Sequence, residues 1–259
     1  MKESTEISAS TADRVARLKR EAEFHDQVFV DRSRASADRF YAIAGPAYQH
    51  YRSLVAEHAA GLSVLEYGCG PGSEAFDLAR SGARVHAIDI SPVAIELAQK
   101  KASQERVEER CTFQVMNAED LRFPDGSFDT ICGSGILHHL DLARSFSEIA
   151  RTLKPGGRAI FIEPLGHNVA INWYRNRTPQ MRTDDEHPLL AKDLSAASKH
   201  FTRLTPQFFH LSVLATAPLQ GWRHFELFRK ATDRLDRMLL APWSPLRWAA
   251  WLVVLVLEK

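Results

Sequence analysis

The chain of 259 residues predicts an α/β fold, a doubly wound parallel sheet flanked by helices, and three observations carry that expectation. Short β-branched or aliphatic runs (63–68, 84–90, 112–117, 128–134 and 158–164) alternate with segments of helical pattern. Strands separated by helices of about ten residues form βαβ units. Helix boundaries are marked by capping chemistry, and the first strand-to-helix turn is rich in glycine.

The elements follow in order. The opening stretch to Arg20 is rich in Ser, Thr, Glu and Lys and is expected to fray, with helix only further on. Residues 35–60 read as helix broken near Gly45 and Pro46, carrying Phe40, Tyr41, Tyr48 and Tyr51. A helix over 73–81 stops at Gly82, since glycine enters the left-handed conformation at little cost. Ser91 and Pro92 supply an N-cap hydroxyl and a first-turn proline for a helix over 92–103. Leu142, Phe146, Ile149, Ala150 and Leu153 recur at intervals of three and four, giving one buried face over 141–153. Pro155, Gly156 and Gly157 then turn the chain into the fifth strand.

After Glu163 the rhythm breaks. Residues 164–187 are too long and aromatic for a routine connection and predict a cap or insertion. Its alternating charges (Arg175, Arg177, Arg182, then Asp184, Asp185, Glu186 and His187) suit an internally paired loop, with a substrate lid whose Asn172, Tyr174 and Arg175 face an acceptor as the other reading. Residues 206–216 read as strand. Trp222, Phe225, Phe228, Leu235 and Leu239 mark an amphipathic helix, and residues 251–259 close the chain as a β-rich run. The resulting division is an N-terminal helical cap (1–60) and a main domain (61–259), with a lid or insertion at 164–205 and C-terminal strands and helix at 206–259.

Composition excludes several classes. At ~150 residues per domain the length suits one large domain, or one with a cap. Hydrophobic residues make up 45% and charged residues 25%, which sets disorder and fibrous classes aside. Thirty-three Lys and Arg against 32 Asp and Glu leave a net charge of +1, so no nucleic-acid partner is expected. Three cysteines, Cys69, Cys111 and Cys132, and no apolar leader fit a cytoplasmic protein. From Leu239 to Leu257 the chain is largely apolar, but two prolines, Ser244 and Arg247 interrupt it. Only Trp248 to Leu257 is unbroken, short of the ~20 residues a spanning helix needs. Residues 222–259 also carry seven Lys/Arg against four Asp/Glu beside several tryptophans, which keeps transient membrane contact open as a second reading.

The sharpest chemical signal is the turn at Gly68, Gly70 and Gly72, two residues after Glu66. A glycine-rich turn lets backbone approach a ligand, and the following helix presents free N–H groups. The dinucleotide pattern GxGxxG requires glycine at 73, where this chain has Ser73. A carboxylate at 66 repels a pyrophosphate but suits a cationic amino group, so the expected ligand is a zwitterionic amino-acid nucleoside. Asp89, at the tip of the second strand, is placed to accept from ribose hydroxyls. Residues Asn117 to Asp120 follow the third strand, where an amide or acid can reach an adenine edge.

With these features in place, the chain resembles the class I S-adenosylmethionine-dependent methyltransferases, in their small-molecule group. The resemblance covers residues 63–163, through LEYGCGPG, AIDISPVAIELAQ, NAEDLRFPDGSFDTI, LHHL and LKPGG in family order. It implies S-adenosyl-L-methionine as cofactor and a Rossmann-like seven-stranded sheet with an antiparallel last strand. It implies Glu66, Gly68, Gly70 and Gly72 at the methionine end, Asp89 and Ile90 at the ribose, and Ala118 and Glu119 at the adenine. Gly133 and Ser134 are implied near the sulfonium. The expected reaction is methylation of a small-molecule acceptor at oxygen, with nitrogen, carbon and a lipid-like acceptor as alternatives. His138, His139 and Glu163, at the carboxyl edge of the sheet, are the expected catalytic residues, since a mostly neutral imidazole can take a proton from a hydroxyl. No metal is expected, because adjacent histidines on one loop rarely both reach one ion. Phe24, His25, Phe29, Tyr41 and Tyr48 of the N-terminal segment are expected either to close over the cofactor or to pack in the core. Two rivals are an NAD-linked oxidoreductase, against which Glu66 and Ser73 speak, and a non-catalytic partner protein of the same fold.

Overall fold

The computed structural model describes the backbone of residues 2–31, 38–57, 59–72, 74–183 and 185–259, and their side chains outside 2–11, 30–31, 38–42 and Met181. Seven strands form one sheet: β1 (Ser63–Tyr67), β2 (Arg84–Asp89), β3 (Cys111–Val115), β4 (Phe128–Ser134), β5 (Leu153–Pro164), β6 (Arg203–Phe209) and β7 (Leu252–Glu258). Their order is β3-β2-β1-β4-β5-β7-β6, parallel from β3 to β5, with β7 antiparallel to both β5 and β6. The expected seven-stranded α/β sheet with an antiparallel last strand is therefore observed. The chain starts at β1, winds outward to β3 and returns to β4 beside β1, so a crevice opens at the carboxyl ends of β1 and β4, where such sheets bind ligands.

The central strands are buried on both faces, which is why they read as continuous apolar runs rather than alternating ones. On one face, α2 (Asp38–Ala56), α3 (Ala75–Arg80) and α4 (Pro92–Glu105) cover a core that includes Tyr51, Phe76 and Ala98. On the other, α5 (Leu142–Thr152) and α7 (Ala191–Ala197) cover Phe146, Ile149 and Phe161, with α6 (Val169–Arg177) between them in the chain. The caps work as anticipated: Ser91 Oγ accepts from Ala94 N at 2.9 Å, and Asp141 accepts from Ala143 N and Arg144 N.

Four expectations are corrected. First, α1 (Lys2–Asp31) is helical almost from the start and packs against α4. Its inward residues Arg14, Arg17, Glu21 and His25 recur every three or four positions, but they are polar, so apolar periodicity does not reveal them. Second, α2 continues through Gly45 and Pro46, because Ile43, Ala44, Ala47, Tyr51 and Val55 bury one face across the proline. Third, residues 206–216 are not one strand. His210 takes a left-handed φ of 66°, and Asp236 then accepts from Leu211 N and Ser212 N at 2.9 and 2.7 Å, turning the chain into a 3-10 segment, Ser212–Leu219. Fourth, Leu153 already pairs with Phe128, and the glycine turn that follows sits in a register shift inside β5.

Phe146 is fully buried and meets Phe201 edge-on at 6.2 Å. Truncation to alanine is expected to lower the unfolding free energy by about 3–5 kcal/mol, read by denaturant titration.

Candidate active site

The loop between β1 and α3 is shaped by its glycines. Gly68 has φ +61°, and a Cβ there would lie 2.7 Å from Ile136 Cδ1; at Gly72, φ +87°, it would lie 2.2 Å from the Phe76 ring. Neither position admits a side chain without movement. Glu66 is buried, and its two oxygens accept from Glu74 N at 2.9 Å and Ala75 N at 3.0 Å. The carboxylate thus caps the start of α3, a favourable place for negative charge. Neither Glu66 nor Gly72 belongs to the wall of the adjoining cavity.

That cavity, about 240 Å³, opens at the carboxyl edge beside β1, β2 and β4. Gly68, Gly70, Asp89, Ile90, Ala118 and Ser134 line it as the sequence anticipates, together with Met116, Asn117 and Ile136. Asp89 joins two strand ends: Oδ2 accepts from Gly70 N at 2.8 Å and Oδ1 from Ser91 N at 2.9 Å. Burial raises its pKa, and these amide bonds offset only part of that effect. Gly133 and Glu119 stand outside the wall. A Cβ on Gly133 would meet Ile136 and Phe161, and Glu119 pairs with Arg14 and Arg17 and accepts from Asp141 N.

The three residues expected to be catalytic are brought together, but in different surroundings. Glu163 is fully buried; Oε1 accepts from Ile136 N and Leu137 N at 2.9 and 2.8 Å, and Oε2 lies 2.7 Å from His138 Nδ1. His138 Nε2 faces Glu186 at 3.4 Å, and Glu186 pairs with Arg175 at 2.8 Å. A line of alternating charge therefore runs from the half-buried Arg175 and Glu186 to the buried His138 and Glu163. Burial disfavours the imidazolium of His138, but hydrogen bonds to the two carboxylates outweigh it and raise its pKa to about 9. Burial also acts against the charged form of Glu186, yet His138 holds its pKa down at about 2. The expectation that adjacent histidines do not converge is corrected: His138, His139 and Glu186 bring one ligand atom each within 4.8 Å of one another, as do Glu21, His25 and His139.

His139 is the histidine in the cavity wall. Its ring lies 4.2 Å from that of His138, and burial together with that neighbouring charge lowers its pKa, so it is neutral near pH 7. Its Nδ1 sits 3.2 Å from Glu21 Oε2, which also lies 3.5 Å from His25 Nε2. Burial of Glu21 opposes its charge, but His139, His25 and Thr183 hold the carboxyl well below its usual range.

Helix α1 supplies the wall that sequence reasoning largely missed: Arg17, Leu18, Glu21, His25 and Phe29. Arg17 also donates to His139 O at 3.0 Å, Thr183 Oγ1 donates to Glu21, and Ser91 Oγ donates to Asp26. Of the aromatic candidates, His25 and Phe29 reach the cavity while Phe24 and Tyr48 do not; the side chain of Tyr41 lies outside the described residues, as do Ser73 and Asp184. The segment after β5 is internally paired. Asn172 donates to Gly166 O at 2.8 Å, and Arg182 Nη1 donates to the carbonyls of Arg175 and Thr178 at 2.6 and 2.8 Å.

Residues 65–161 match the family model of a methyltransferase domain. The chain is 39% identical over 101 residues to methyltransferase GfsG of Streptomyces halstedii, covering 38% of this chain and 36% of that protein. It spans less than half the length of the first curated relatives it matches. With the ubiquinone biosynthesis O-methyltransferase of Xanthomonas oryzae pv. oryzae it shares 31% identity over 190 residues, covering 71% of this chain and 69% of the relative. Among solved structures, geranyl diphosphate C-methyltransferase from Streptomyces coelicolor A3(2), in complex with Mg2+, geranyl-S-thiolodiphosphate and S-adenosyl-L-homocysteine, superposes with a TM-score of 0.59 at 18% identity, covering 82% of this chain and 76% of that one.

The raised pKa of His138 makes a linkage prediction. A group whose folded pKa lies above its ordinary 6.5 contributes stability that is complete below 6.5 and lost as pH rises through about 9. The wild-type advantage in unfolding free energy over His138→Gln is expected to shrink across that window, read by urea titration at each pH.

Proposed function

Because the chain belongs to the S-adenosylmethionine-dependent methyltransferases, we propose that it methylates a small-molecule acceptor at a hydroxyl oxygen, with His139 as the general base. The single observation that carries the choice of oxygen is a neutral, buried imidazole in the cavity wall whose Nδ1 faces Glu21 Oε2 at 3.2 Å, so that Nδ1 holds the ring proton and Nε2 is left to accept. A hydroxyl nucleophile must lose its proton, and a neutral histidine at the point of attack can accept it. The name of the Xanthomonas relative, an O-methyltransferase, supports the same reading.

The residues present fit the cofactor. A Cβ at Gly68 would collide with Ile136 of the cavity wall, so only bare backbone fits there, and Asp89 keeps lone pairs for ribose hydroxyls beyond those given to Gly70 and Ser91. Ile90, Ala118 and Asn117 offer an apolar slot with one amide for the base, and Ser134 and Gly135 face the reacting end. When bound, S-adenosylmethionine supplies a methyl carbon made electrophilic by its sulfonium.

The chain's own contribution is orientation, exclusion of water and proton transfer. Helix α1 forms a cap over the cavity and keeps water from the nucleophile. The carboxylate of Glu21 favours the N–H tautomer at Nδ1 of His139 and stabilises the imidazolium formed once the acceptor proton arrives, the role an orienting acid plays beside a catalytic base. Glu163 fixes His138 as an imidazolium, and that fixed charge keeps His139 neutral and ready to accept. Glu163 and His138 are thus positioning residues, with His139 at the chemistry.

His139→Ala is expected to lower kcat by about 10²–10⁴-fold while leaving the affinity for S-adenosylhomocysteine, read by calorimetry, close to wild type. Wild-type kcat is expected to fall on the acid side, below the ordinary histidine pKa of 6.5, as His139 becomes protonated. Labelled S-adenosylmethionine incubated with hydroxyl-bearing metabolites reads both effects, and turnover unchanged in the variant contradicts the assignment.

A further inference from the structure

The segment between β6 and β7 contains α8 (Phe225–Leu239), a helix whose amphipathic pattern is turned inside out. Its inward side carries Asp236, Arg229 and Asp233 beside the partly buried Phe225 and Leu239, with Glu226 exposed at its edge. Asp236 is buried and accepts from Leu211 N, Ser212 N and Ser212 Oγ, while Arg229 pairs with Glu226 and Asp233. Its outward face is apolar: Leu227, Phe228, Leu235 and Met238 all face solvent, Met238 at 75% exposure. Trp222 and Trp243 stand at either end of the helix, also exposed. A water-soluble surface has no reason to keep such a stripe in water, since apolar patches of this kind mark interaction sites.

Charge identifies what covers the stripe. Lys230, Arg234 and Arg237 follow one another at i, i+4 and i+7, so they form a line along one border of the apolar face. The acids of the helix are already engaged: Glu226 and Asp233 with Arg229, and Asp236 with backbone amides. What remains outward is an apolar stripe with a cationic border and a tryptophan at each end. A second copy meeting this face with the two helices antiparallel would set one cationic line against another, and with the helices parallel would set each line against the partner's apolar border. An anionic lipid surface instead takes the apolar side chains below the headgroups and the cations beside the phosphates, with tryptophan at the boundary.

We propose that α8 and its flanking tryptophans form a peripheral docking face for an anionic lipid bilayer. The helix lies in the plane of the interface and does not cross it, and no helix among the described residues is long and apolar enough to span. The sheet places this face usefully. Strands β5 and β6 are both antiparallel to β7, and Pro164 and Phe209 both pair with Leu252, so the segment leaves and re-enters the sheet at the edge where the cavity opens. Nothing in this proposal depends on the reaction proposed above, and its failure leaves that reaction untouched.

Flotation of the full chain with vesicles tests it, comparing phosphatidylcholine alone with phosphatidylcholine containing phosphatidylglycerol. The chain is expected to float with the anionic vesicles and to be released by salt. Each of Lys230→Ala, Arg234→Ala and Arg237→Ala should weaken partitioning by about fivefold. The double variant Leu227→Glu, Met238→Glu should lose vesicle binding while keeping its circular dichroism and melting temperature. Four results overturn the proposal: no flotation with anionic vesicles, equal flotation with neutral ones, undiminished binding by the double variant, or a wild-type dimer in sedimentation that the double variant dissociates.

Discussion

The bond between the buried carboxylate of Asp89 and the amide of Gly70 is the constraint on which the site depends. It ties the end of β2 to the glycine loop after β1, and the second Asp89 oxygen ties the same point to Ser91 at the start of α4. Charge-assisted bonds of this kind contribute about 1.5–3 kcal/mol each, enough to hold a loop of left-handed glycines in one shape. Three elements that bound the cavity thus meet at one side chain. The ceiling is fixed separately, by α1: Arg14 and Arg17 on Glu119, Glu21 against His139 and Thr183, and Asp26 on Ser91.

The two neighbouring histidines illustrate how position assigns opposite roles to identical side chains. His138 lies between two carboxylates and keeps its proton; His139, one residue on and in ring contact with that cation, is held neutral. Two like charges at that distance are disfavoured, so protonation of the first withholds it from the second. The segment after β5 enters this arrangement through Glu186 and Arg175, which links the insertion electrostatically to the site without either residue lining the cavity.

Much of this was legible in the residues. The sheet from β1 to β5 followed from the alternation of apolar runs and capped helices, because the central strands are buried on both faces and each helix on one. The glycine loop, Asp89, Ile90, Ala118 and Ser134 were legible because a cradle for a ligand imposes residue types at fixed spacing. Less of the rest was. Helix α1 meets the cavity through Arg17, Glu21 and His25, and polar contacts leave no apolar period to read. Glu66 has the residue type of a ligand-binding acid, yet its oxygens are directed at the amides that begin α3, a geometry that spacing does not reveal. The amphipathic pattern of α8 was evident, but not its direction, since periodicity shows that a helix has two faces and not which one looks inward.

The proposed reaction requires the cavity at the carboxyl edge to seat the methyl donor. A crystal structure of the protein grown with S-adenosylhomocysteine tests this most directly. The coproduct is expected with its ribose at Asp89, its base beside Asn117 and Ala118, and its sulfur end toward Ser134 and His139. Coproduct bound elsewhere on the molecule, or no coproduct in that cavity at saturating concentration, would contradict it.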